Sequence, residues 1–424
     1  MKVNWTGFSK KTPAERLQML KEKGLLQDEH WQLLDSQQTL PLETANQMSE
    51  NVLATLALPY SLVPYFLVDG KNYQVPFVTE EPSVVAAASF AAKIIKRSGG
   101  FETEVHKRQM IGQIALYQVD DKDRAIKDIL KKKKELLEQA NQAYPSIVAR
   151  GGGARDLWLE PKDDFLIFYL SVDTQEAMGA NMLNTMLEAL TLSLEELTGG
   201  KGLMAILSNY ATDSLVTARC VIDYRFLSRD KAEAELLADK IQLASKLAQV
   251  DPYRAATHNK GIFNGIDALV LATGNDWRAI EASAHAYASR EGSYRGLSTW
   301  TADPDKRQLH GQMTLPMPIA TKGGSIGLNP TVTASFDLLG QPQAKDLASL
   351  IVSVGLAQNF AALKALVSTG IQAGHMKLQA KSLALQAGAL EEEIAAVASR
   401  LTAKKTFNLA TAQEILADLR KQDK

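Results

Sequence analysis

The stretch AKDLASLIVSVGLAQNFAALKALVS, residues 344–368, is the longest apolar run in the chain and decides its fold. A run of this length is typical of either a membrane-spanning helix or the central helix of a large core. Five charged or amide side chains make it too polar to face lipid: Lys345, Asp346, Gln358, Asn359 and Lys364. The sequence therefore predicts a long helix buried inside protein, with no membrane contact.

Residues 108 to 226 alternate between strand and helix patterns in the order strand, helix, strand, strand, helix, strand. This order matches the split βαβ, ferredoxin-like arrangement, a compact sheet with two helices on one face. The strands are predicted at 111–119, 156–160, 165–172 and 215–226, and the helices at 123–140 and 175–197. We expect a small domain, residues 108–219, inserted into a larger one.

The segments on either side, residues 1–107 and 220–370, predict the larger domain. Helical patterns fill residues 13–56, Asp69-Gly70 is a favoured hairpin turn, and a helix is predicted from Pro82. After a predicted helix at residues 279–289, the sequence to about residue 342 is polar and predicts loops. Residues 371–424 predict short helices broken by glycines, a flap able to move. The fold class is therefore α+β, with a large mixed helical and sheet domain around a long buried helix, an inserted ferredoxin-like domain and a C-terminal helical flap.

Composition narrows the class of protein. With 47 basic and 48 acidic residues the net charge is −1, which argues against a general nucleic-acid binder. Cys220 is the single cysteine, so an internal disulfide is excluded and a reducing cytosol is favoured. The N-terminus lacks the apolar core of a signal peptide, and the six histidines show no spacing that would hold zinc. We expect a cytoplasmic protein without a metal.

Four short motifs combine residue types that carry chemistry. They are Glu80-Glu81-Pro82-Ser83, the stretch from Thr257 to Asp267, the stretch from Thr273 to Ala279, and Gly374-His375-Met376. The second and third place a lysine, amides and acids beside glycines, which predicts turns whose side chains face a ligand. Taken together, these motifs closely resemble those of 3-hydroxy-3-methylglutaryl-CoA reductases of the soluble bacterial class II, and the resemblance covers almost the whole chain.

The resemblance implies four catalytic residues. Lys260 would face the carbonyl oxygen that gains negative charge, Glu81 would give a proton, and Asp276 would bridge these two side chains. His375, on the flap, would protonate the departing thiolate. From the residue types alone, an ordinary structural role is also possible for each of the four. Glu81 could stabilise a helix N-terminus and Lys260 could be an exposed surface residue. Asp276 could form a turn and His375 could lie in a loop without a function.

Substrate contacts are implied at five further positions: Ser83, Arg254, Asn264, Asn209 and Gln358. The arginine suits the free carboxylate of the acyl group, because its planar fork can bind two oxygens at once. For Asn209 and Gln358 a structural amide is nearly as good an interpretation. The expected ligands are 3-hydroxy-3-methylglutaryl-CoA, mevalonate and coenzyme A.

The cofactor motif runs from Glu176 to Asn184 and would open a helix whose free N–H groups could meet a pyrophosphate. The resemblance implies cofactor contacts at Glu176, Met178, Gly179, Ala180 and Asn181, with Arg150 available for a 2′-phosphate. Glu176 departs from the aspartate that is frequent in the family. Residues 140–144 lack the acid that would read the ribose hydroxyls of NADH, so we favour NADPH, with NADH as the alternative.

The sequence thus predicts an oxidoreductase that converts 3-hydroxy-3-methylglutaryl-CoA to mevalonate with two reduced nicotinamide cofactors, for isoprenoid precursor synthesis. The resemblance implies a homodimer with active sites shared across the interface. Two alternatives remain: the same site run oxidatively with NAD in mevalonate breakdown, and a non-catalytic protein that binds coenzyme A thioesters.

Overall fold

The computed structural model describes residues 4–324, 326–368, 371–404 and 406–422; for residues 371–378 and 422 it describes the backbone alone. The strands in these ranges are β1 (Tyr60–Val68), β2 (Lys71–Val78), β3 (Phe101–Val105), β4 (Gln109–Tyr117), β5 (Gly153–Lys162), β6 (Phe165–Asp173), β7 (Lys201–Ser208), β8 (Leu215–Asp223), β9 (Ser298–Asp303) and β10 (Gln308–Pro316).

The α-helices in the same ranges precede, separate and follow these strands. They are α1 (Pro13–Glu22), α2 (Asp28–Asp35), α3 (Leu42–Met48), α4 (Val84–Arg97), α5 (Lys122–Lys131), α6 (Lys133–Ala143), α7 (Pro145–Val148), α8 (Ala180–Thr198), α9 (Lys231–Val250), α10 (Pro252–Ala272), α11 (Trp277–Ala288), α12 (Pro330–Leu339), α13 (Ala344–Val367), α14 (Ile371–Gln386), α15 (Glu391–Thr402) and α16 (Leu409–Gln422).

The larger sheet has six strands in the order β2-β1-β3-β8-β10-β9. Its hairpin β1–β2 turns at Asp69-Gly70, with Val68 opposite Lys71, as the sequence predicted. The sheet shares one apolar core with α4, α9, α10 and α13. By length and composition α13 is the one candidate membrane span among the described residues, but most of it is buried in this core. The prediction of a long buried helix is confirmed.

The helix α10 packs directly on α13. A Cβ atom built on Gly265 of α10 would lie 3.1 Å from both Gln358 Cβ and Val354 Cγ1 of α13, a tighter contact than side chains usually make, so glycine suits this close packing. The prediction that residues 257–267 form glycine-rich turns is wrong, since they lie inside α10. A glycine in a helix interior costs about 1 kcal/mol relative to alanine, and here close helix packing offsets that cost.

The smaller sheet has four strands in the order β5-β6-β4-β7, and α5, α6 and α8 pack on it around a separate apolar core. In chain order this is strand 2, 3, 1, 4, which confirms the predicted split βαβ arrangement. The prediction that residues 215–226 form its fourth strand is wrong. The fourth strand is β7, and β8 lies in the larger sheet between β3 and β10. We therefore propose that the insert ends between Ser208 and Leu215.

The C-terminal part contains regular structure where the sequence predicted both loops and helices. The stretch predicted as loop-rich up to residue 342 in fact contains β9, β10 and α12, so that prediction is wrong. The helices α14 to α16 form an apolar core of their own. Arg420 Nε and Nη2 donate to the two carboxylate oxygens of Glu393, each at 2.8 Å, which ties α16 to α15 and lowers the pKa of Glu393 to about 2.

Candidate active site

A cavity of about 430 Å³ lies between α10, α13 and the segment that joins β2 to α4. We call it the α10–α13 cavity. Four of the predicted substrate-binding residues line it: Ser83, Arg254, Asn264 and Gln358. Two of the predicted catalytic residues, Glu81 and Lys260, line it as well. Residues far apart in sequence therefore meet at one site, because the strand-to-helix segment and two core helices converge there.

Glu81 and Lys260 form an ion pair at the cavity. Lys260 Nζ donates to Glu81 Oε2 at 2.5 Å, and Asn264 Nδ2 donates to the other oxygen, Glu81 Oε1, at 3.2 Å. Lys260 and Asn264 are four residues apart, so they lie on the same side of α10. The side chains of Lys260 and Glu81 are 60% and 36% exposed. The site thus holds a cation and an acid in contact and open to a ligand.

The polar residues around this pair are held by local backbone features. Ser83 precedes α4 with φ of +75°, an uncommon conformation for a residue with a side chain, which costs of the order of 1 kcal/mol. Arg254 lies in the first turn of α10, where Asp251 accepts a hydrogen bond from its N–H at 2.9 Å. Burial lowers the pKa of the Arg254 guanidinium. Strain at Ser83 and partial burial of Arg254 are both typical of functional sites.

A second cavity, of about 920 Å³, lies between the N-terminus of α8, the start of α11 and the loop 318–326. We call it the α8–α11 cavity. All predicted cofactor-binding residues line it: Glu176, Met178, Gly179, Ala180, Asn181 and Arg150. Gly179 precedes α8 with φ of +92°, and a Cβ there would lie 2.4 Å from Thr174 Cγ2. The glycine lets backbone N–H groups of α8 open onto the cavity, as a pyrophosphate requires.

The cofactor loop, residues 174–179, is tied to the larger domain by Arg108. This partly buried side chain donates through Nε to the carbonyl oxygen of Gln175 at 2.7 Å. Its Nη2 donates to those of Ala177 and Ile319 at 3.1 and 2.7 Å. Burial lowers the pKa of Arg108, while the carboxylate of Glu176 acts against that shift. Arg108 therefore fixes the loop from a position that does not line the α8–α11 cavity.

Glu176 also ties the cofactor loop to the larger domain. Its Oε2 accepts from Thr321 Oγ1 at 2.5 Å and from the N–H of Ala344, the first residue of α13, at 2.8 Å. The direct cofactor contact expected for Glu176 stays a prediction. The geometry shows a carboxylate that anchors the loop to the N-terminus of the central helix, where a negative charge is favourable.

Two of the predicted catalytic and substrate-binding residues, Asp276 and Asn209, do not line the α10–α13 cavity. Asp276 lines the α8–α11 cavity, where it caps α11 by accepting from Ala279 N at 3.1 Å and lies 3.8 Å from Arg278 Nε. Asp276 and Lys260 thus line different cavities of one chain, and the bridge from Asp276 to Lys260 and Glu81 stays a prediction. Asn209 is exposed after β7 and lines neither cavity. The side chain of His375 lies outside the described residues.

Sequence reasoning missed several residues of both cavities. His258 and Asn359 line the α10–α13 cavity, and Lys322 and Trp277 line the α8–α11 cavity. His258 and Trp277 stand inside stretches that the sequence singled out, but nothing in their spacing indicated a role. Within the described part of the chain, no group of three or more His, Cys, Asp or Glu side chains is placed to hold a metal ion.

Comparison with known proteins gives the family. The sequence model described as hydroxymethylglutaryl-coenzyme A reductase matches residues 12–380. The 3-hydroxy-3-methylglutaryl-coenzyme A reductase of Archaeoglobus fulgidus is 43% identical over 98% of this chain and 94% of its own length. The probable reductase of Borreliella burgdorferi is 36% identical over 79% of this chain and 77% of its own.

Solved structures agree with these sequence matches. A reductase of Streptococcus pneumoniae superposes with a TM-score of 0.86 at 66% identity, covering 98% of this chain and all of that one. A class II reductase of the same organism, bound to NADPH in open conformations, superposes with a TM-score of 0.85 at 65% identity over 86% of this chain and 100% of its own. The chain belongs to the hydroxymethylglutaryl-CoA reductase family of oxidoreductases, which confirms the resemblance predicted from the motifs.

Replacing Arg108 with methionine tests whether the cofactor loop, residues 174–179, needs the hydrogen bonds that Arg108 donates. Arg108→Met keeps an apolar stem but leaves three carbonyl oxygens without their donor. We expect a loss of about 2–4 kcal/mol in the free energy of unfolding and about tenfold weaker NADPH binding in a fluorescence titration. The control Arg219→Met removes an exposed arginine of β8 and should change neither value. Unchanged NADPH affinity in Arg108→Met would contradict the anchoring role.

Proposed function

We propose that this protein reduces 3-hydroxy-3-methylglutaryl-CoA to mevalonate and free coenzyme A, with two equivalents of NADPH. The observation that carries the proposal is the contact of 2.5 Å between Lys260 and Glu81 at the wall of the α10–α13 cavity. Family membership supports the same reaction. So does the similar class II enzyme of Streptococcus pneumoniae, which was solved with NADPH bound.

The geometry of the pair suits the charge changes of a thioester reduction. The carbonyl oxygen of the substrate becomes negative when hydride reaches its carbon, and we assign the ammonium of Lys260, at the wall of the cavity, to that oxygen. Glu81, in its protonated form, would give its proton to the oxygen in the second reduction. His375 on the flap would supply the proton that the coenzyme A thiolate needs. Closing the cavity would exclude water and strengthen each of these interactions.

NADPH would occupy the α8–α11 cavity, and when bound it supplies the hydride. The backbone N–H groups at the start of α8 suit its pyrophosphate, and Arg150, Arg278 and Lys322 bring positive charge to the same cavity. Arg150 is the side chain we assign to the 2′-phosphate. NADH remains the alternative cofactor, and a rate with NADH higher than that with NADPH would favour the oxidative, catabolic role.

The arrangement of the two cavities supports a homodimer with shared active sites. The α10–α13 and α8–α11 cavities have no lining residue in common, so Asp276 and the cofactor site are separate from Lys260 within one chain. A second chain could bring its α8–α11 cavity against the α10–α13 cavity of the first. The side chains of Leu53 and Leu56 are 93% and 91% exposed, and such apolar groups favour burial in an interface. A cytoplasmic location fits the lone, buried Cys220.

The reaction itself is tested by following NADPH absorbance with and without 3-hydroxy-3-methylglutaryl-CoA. We expect oxidation that depends on the thioester and is faster than with NADH. Absence of any thioester-dependent oxidation would favour the non-catalytic alternative, a protein that only binds coenzyme A thioesters.

In the same assay, replacement of Lys260 by alanine should reduce kcat to less than about a hundredth of the normal value. The reason is that the carbonyl oxygen loses the cation that stabilises its negative charge. The melting temperature should change little because Lys260 is largely exposed. Lys246→Ala, at an exposed position of α9, is the matched control and should retain full activity. A Lys260→Ala enzyme with more than a hundredth of normal kcat would rule out the assigned role.

Mixing two inactive variants tests whether sites are shared between chains. If Lys260 of one chain works with Asp276 of another, a dimer of one Lys260→Ala chain and one Asp276→Ala chain contains one intact site. Random reassortment of the two variants should then restore roughly a quarter of wild-type activity. Sites built from a single chain would give no recovery. Refolded mixtures of each variant with itself provide the baseline.

A further inference from the structure

Two side chains that line the α10–α13 cavity each have a buried polar atom without a hydrogen-bond partner in the protein. Among the described residues such atoms occur in five side chains, and two of these five, His258 and Gln358, line the cavity. The atoms are His258 Nδ1 and Gln358 Oε1. A buried polar atom without a partner costs about 1–3 kcal/mol, so a pair of them at one ligand site points to groups that the ligand satisfies.

The hydrogen bonds around His258 determine which ring nitrogen carries the proton. Trp300 Nε1 can only donate, so the atom of Asn359 that lies 2.8 Å from it is the oxygen Oδ1. The hydroxyl of Ser298 lies 2.8 Å from the same Oδ1 and 2.7 Å from His258 Nε2, and its single proton can serve only one of these two acceptors. The amide nitrogen of Asn359 therefore faces His258 Nε2, at 3.1 Å, and donates to it. Because Nε2 accepts, the proton of a neutral ring is on Nδ1.

The ring of His258 is neutral at physiological pH. Burial lowers the pKa of His258 to about 3, and the positive charge of Arg254 acts in the same direction. Nδ1 is thus an N–H donor without an acceptor. The edge of the ring that carries Cδ2 is already packed against protein, since a Cβ built on Gly296 would lie 3.3 Å from His258 Cδ2. The unpaired edge is the one turned away from Gly296.

Gln358 complements this donor. Its Cβ packs against Gly265 of α10, and its Oε1 is an acceptor with nothing to accept from. A hydroxyl both donates and accepts, so a neighbouring N–H and C=O together match it. In the acyl part of 3-hydroxy-3-methylglutaryl-CoA the carboxylate and the thioester only accept, and the hydroxyl is the single donor.

We propose that His258 Nδ1–H and Gln358 Oε1 bind the 3-hydroxyl group of the acyl chain and make the site specific for a hydroxylated thioester. This inference rests on the proposed function, because it assigns a subsite of the same cavity. Arg254, one helical turn before His258, is left for the carboxylate. His258 thereby becomes a specificity residue, and Asn359, oriented by Trp300, fixes its tautomer.

The test compares two ligands and two substitutions of the same residue. The ligands are 3-hydroxy-3-methylglutaryl-CoA and 3-methylglutaryl-CoA, which lacks the hydroxyl, with dissociation constants measured by calorimetry. His258→Gln places an amide oxygen near the position of Nε2, so it keeps the acceptor for Asn359 and removes the donor. His258→Asn does the reverse, since its amide nitrogen lies near the position of Nδ1.

We expect the wild-type protein to bind the hydroxylated ligand about tenfold more tightly than the ligand without the hydroxyl. His258→Gln should lose this preference because only the hydroxylated ligand becomes weaker. His258→Asn should keep the preference but melt at a lower temperature, because Asn359 loses its acceptor. Gln358→Met, which removes the acceptor at similar volume, should lose the preference like His258→Gln and provides the test if His258→Gln does not fold.

Two results would overturn the inference. One is a full tenfold preference retained in both His258→Gln and Gln358→Met. The other is an equal loss of affinity for both ligands, which would show that these side chains contact another part of the thioester or only shape the cavity. Turnover by the wild-type protein separates the two proposals. If NADPH oxidation with the substrate is absent, the proposed function fails; if turnover is normal and the preference is unchanged in the variants, this inference alone fails.

Discussion

The contact between α10 and α13 at Gly265 is the constraint on which the site depends. The two helices carry opposite walls of the cavity, with Lys260 and Asn264 on α10 and Gln358 on α13. A Cβ at Gly265 would already lie 3.1 Å from Gln358 Cβ, so even alanine would require the neighbouring side chains or helices to shift by a few tenths of an ångström. Because α13 is buried in the core of the larger sheet, it provides a fixed surface against which α10 is positioned.

The ion pair of Lys260 and Glu81 contributes little to the stability of the fold. Its side chains are 60% and 36% exposed, and exposed pairs are worth only about 0–1 kcal/mol. The same pair becomes far stronger when a ligand and a closing segment exclude water, since the effective dielectric constant around it falls. Asn264 holds Glu81 in this pair, and the pair stays open to a ligand. We therefore interpret it as a preorganised group that stabilises a charged transition state, and not as a bond that stabilises the fold.

The sequence predicted the features that local patterns determine. The helix α13 followed from an apolar run of 25 residues, the hairpin from Asp69-Gly70, and the small sheet from its order of elements. The errors arose where tertiary packing, and not the local pattern, determines the conformation or the neighbours of a segment. The two glycines of α10 predict turns, yet both lie within the helix, where Gly265 packs against α13. The strand β8 has an ordinary strand pattern that does not show which sheet it joins. The motifs identified Lys260 and Glu81 as partners, but the location of Asp276 depends on how the chain assembles, which no single stretch encodes.

The side chain of Glu176 explains how the cofactor loop is joined to the larger domain. The aspartate that the family resemblance led us to expect at this position is shorter by one methylene. Here the glutamate carboxylate reaches both Thr321 and the N–H of Ala344 at the start of α13. Arg108 donates to two carbonyl oxygens of the same loop, those of Gln175 and Ala177, and to that of Ile319 outside it. The loop is thus held at Glu176 to the start of α13 and through Arg108 to the segment at Ile319, and we expect it to keep its place when a ligand binds. We therefore expect closure around a bound thioester to come from the C-terminal helices or from a second chain.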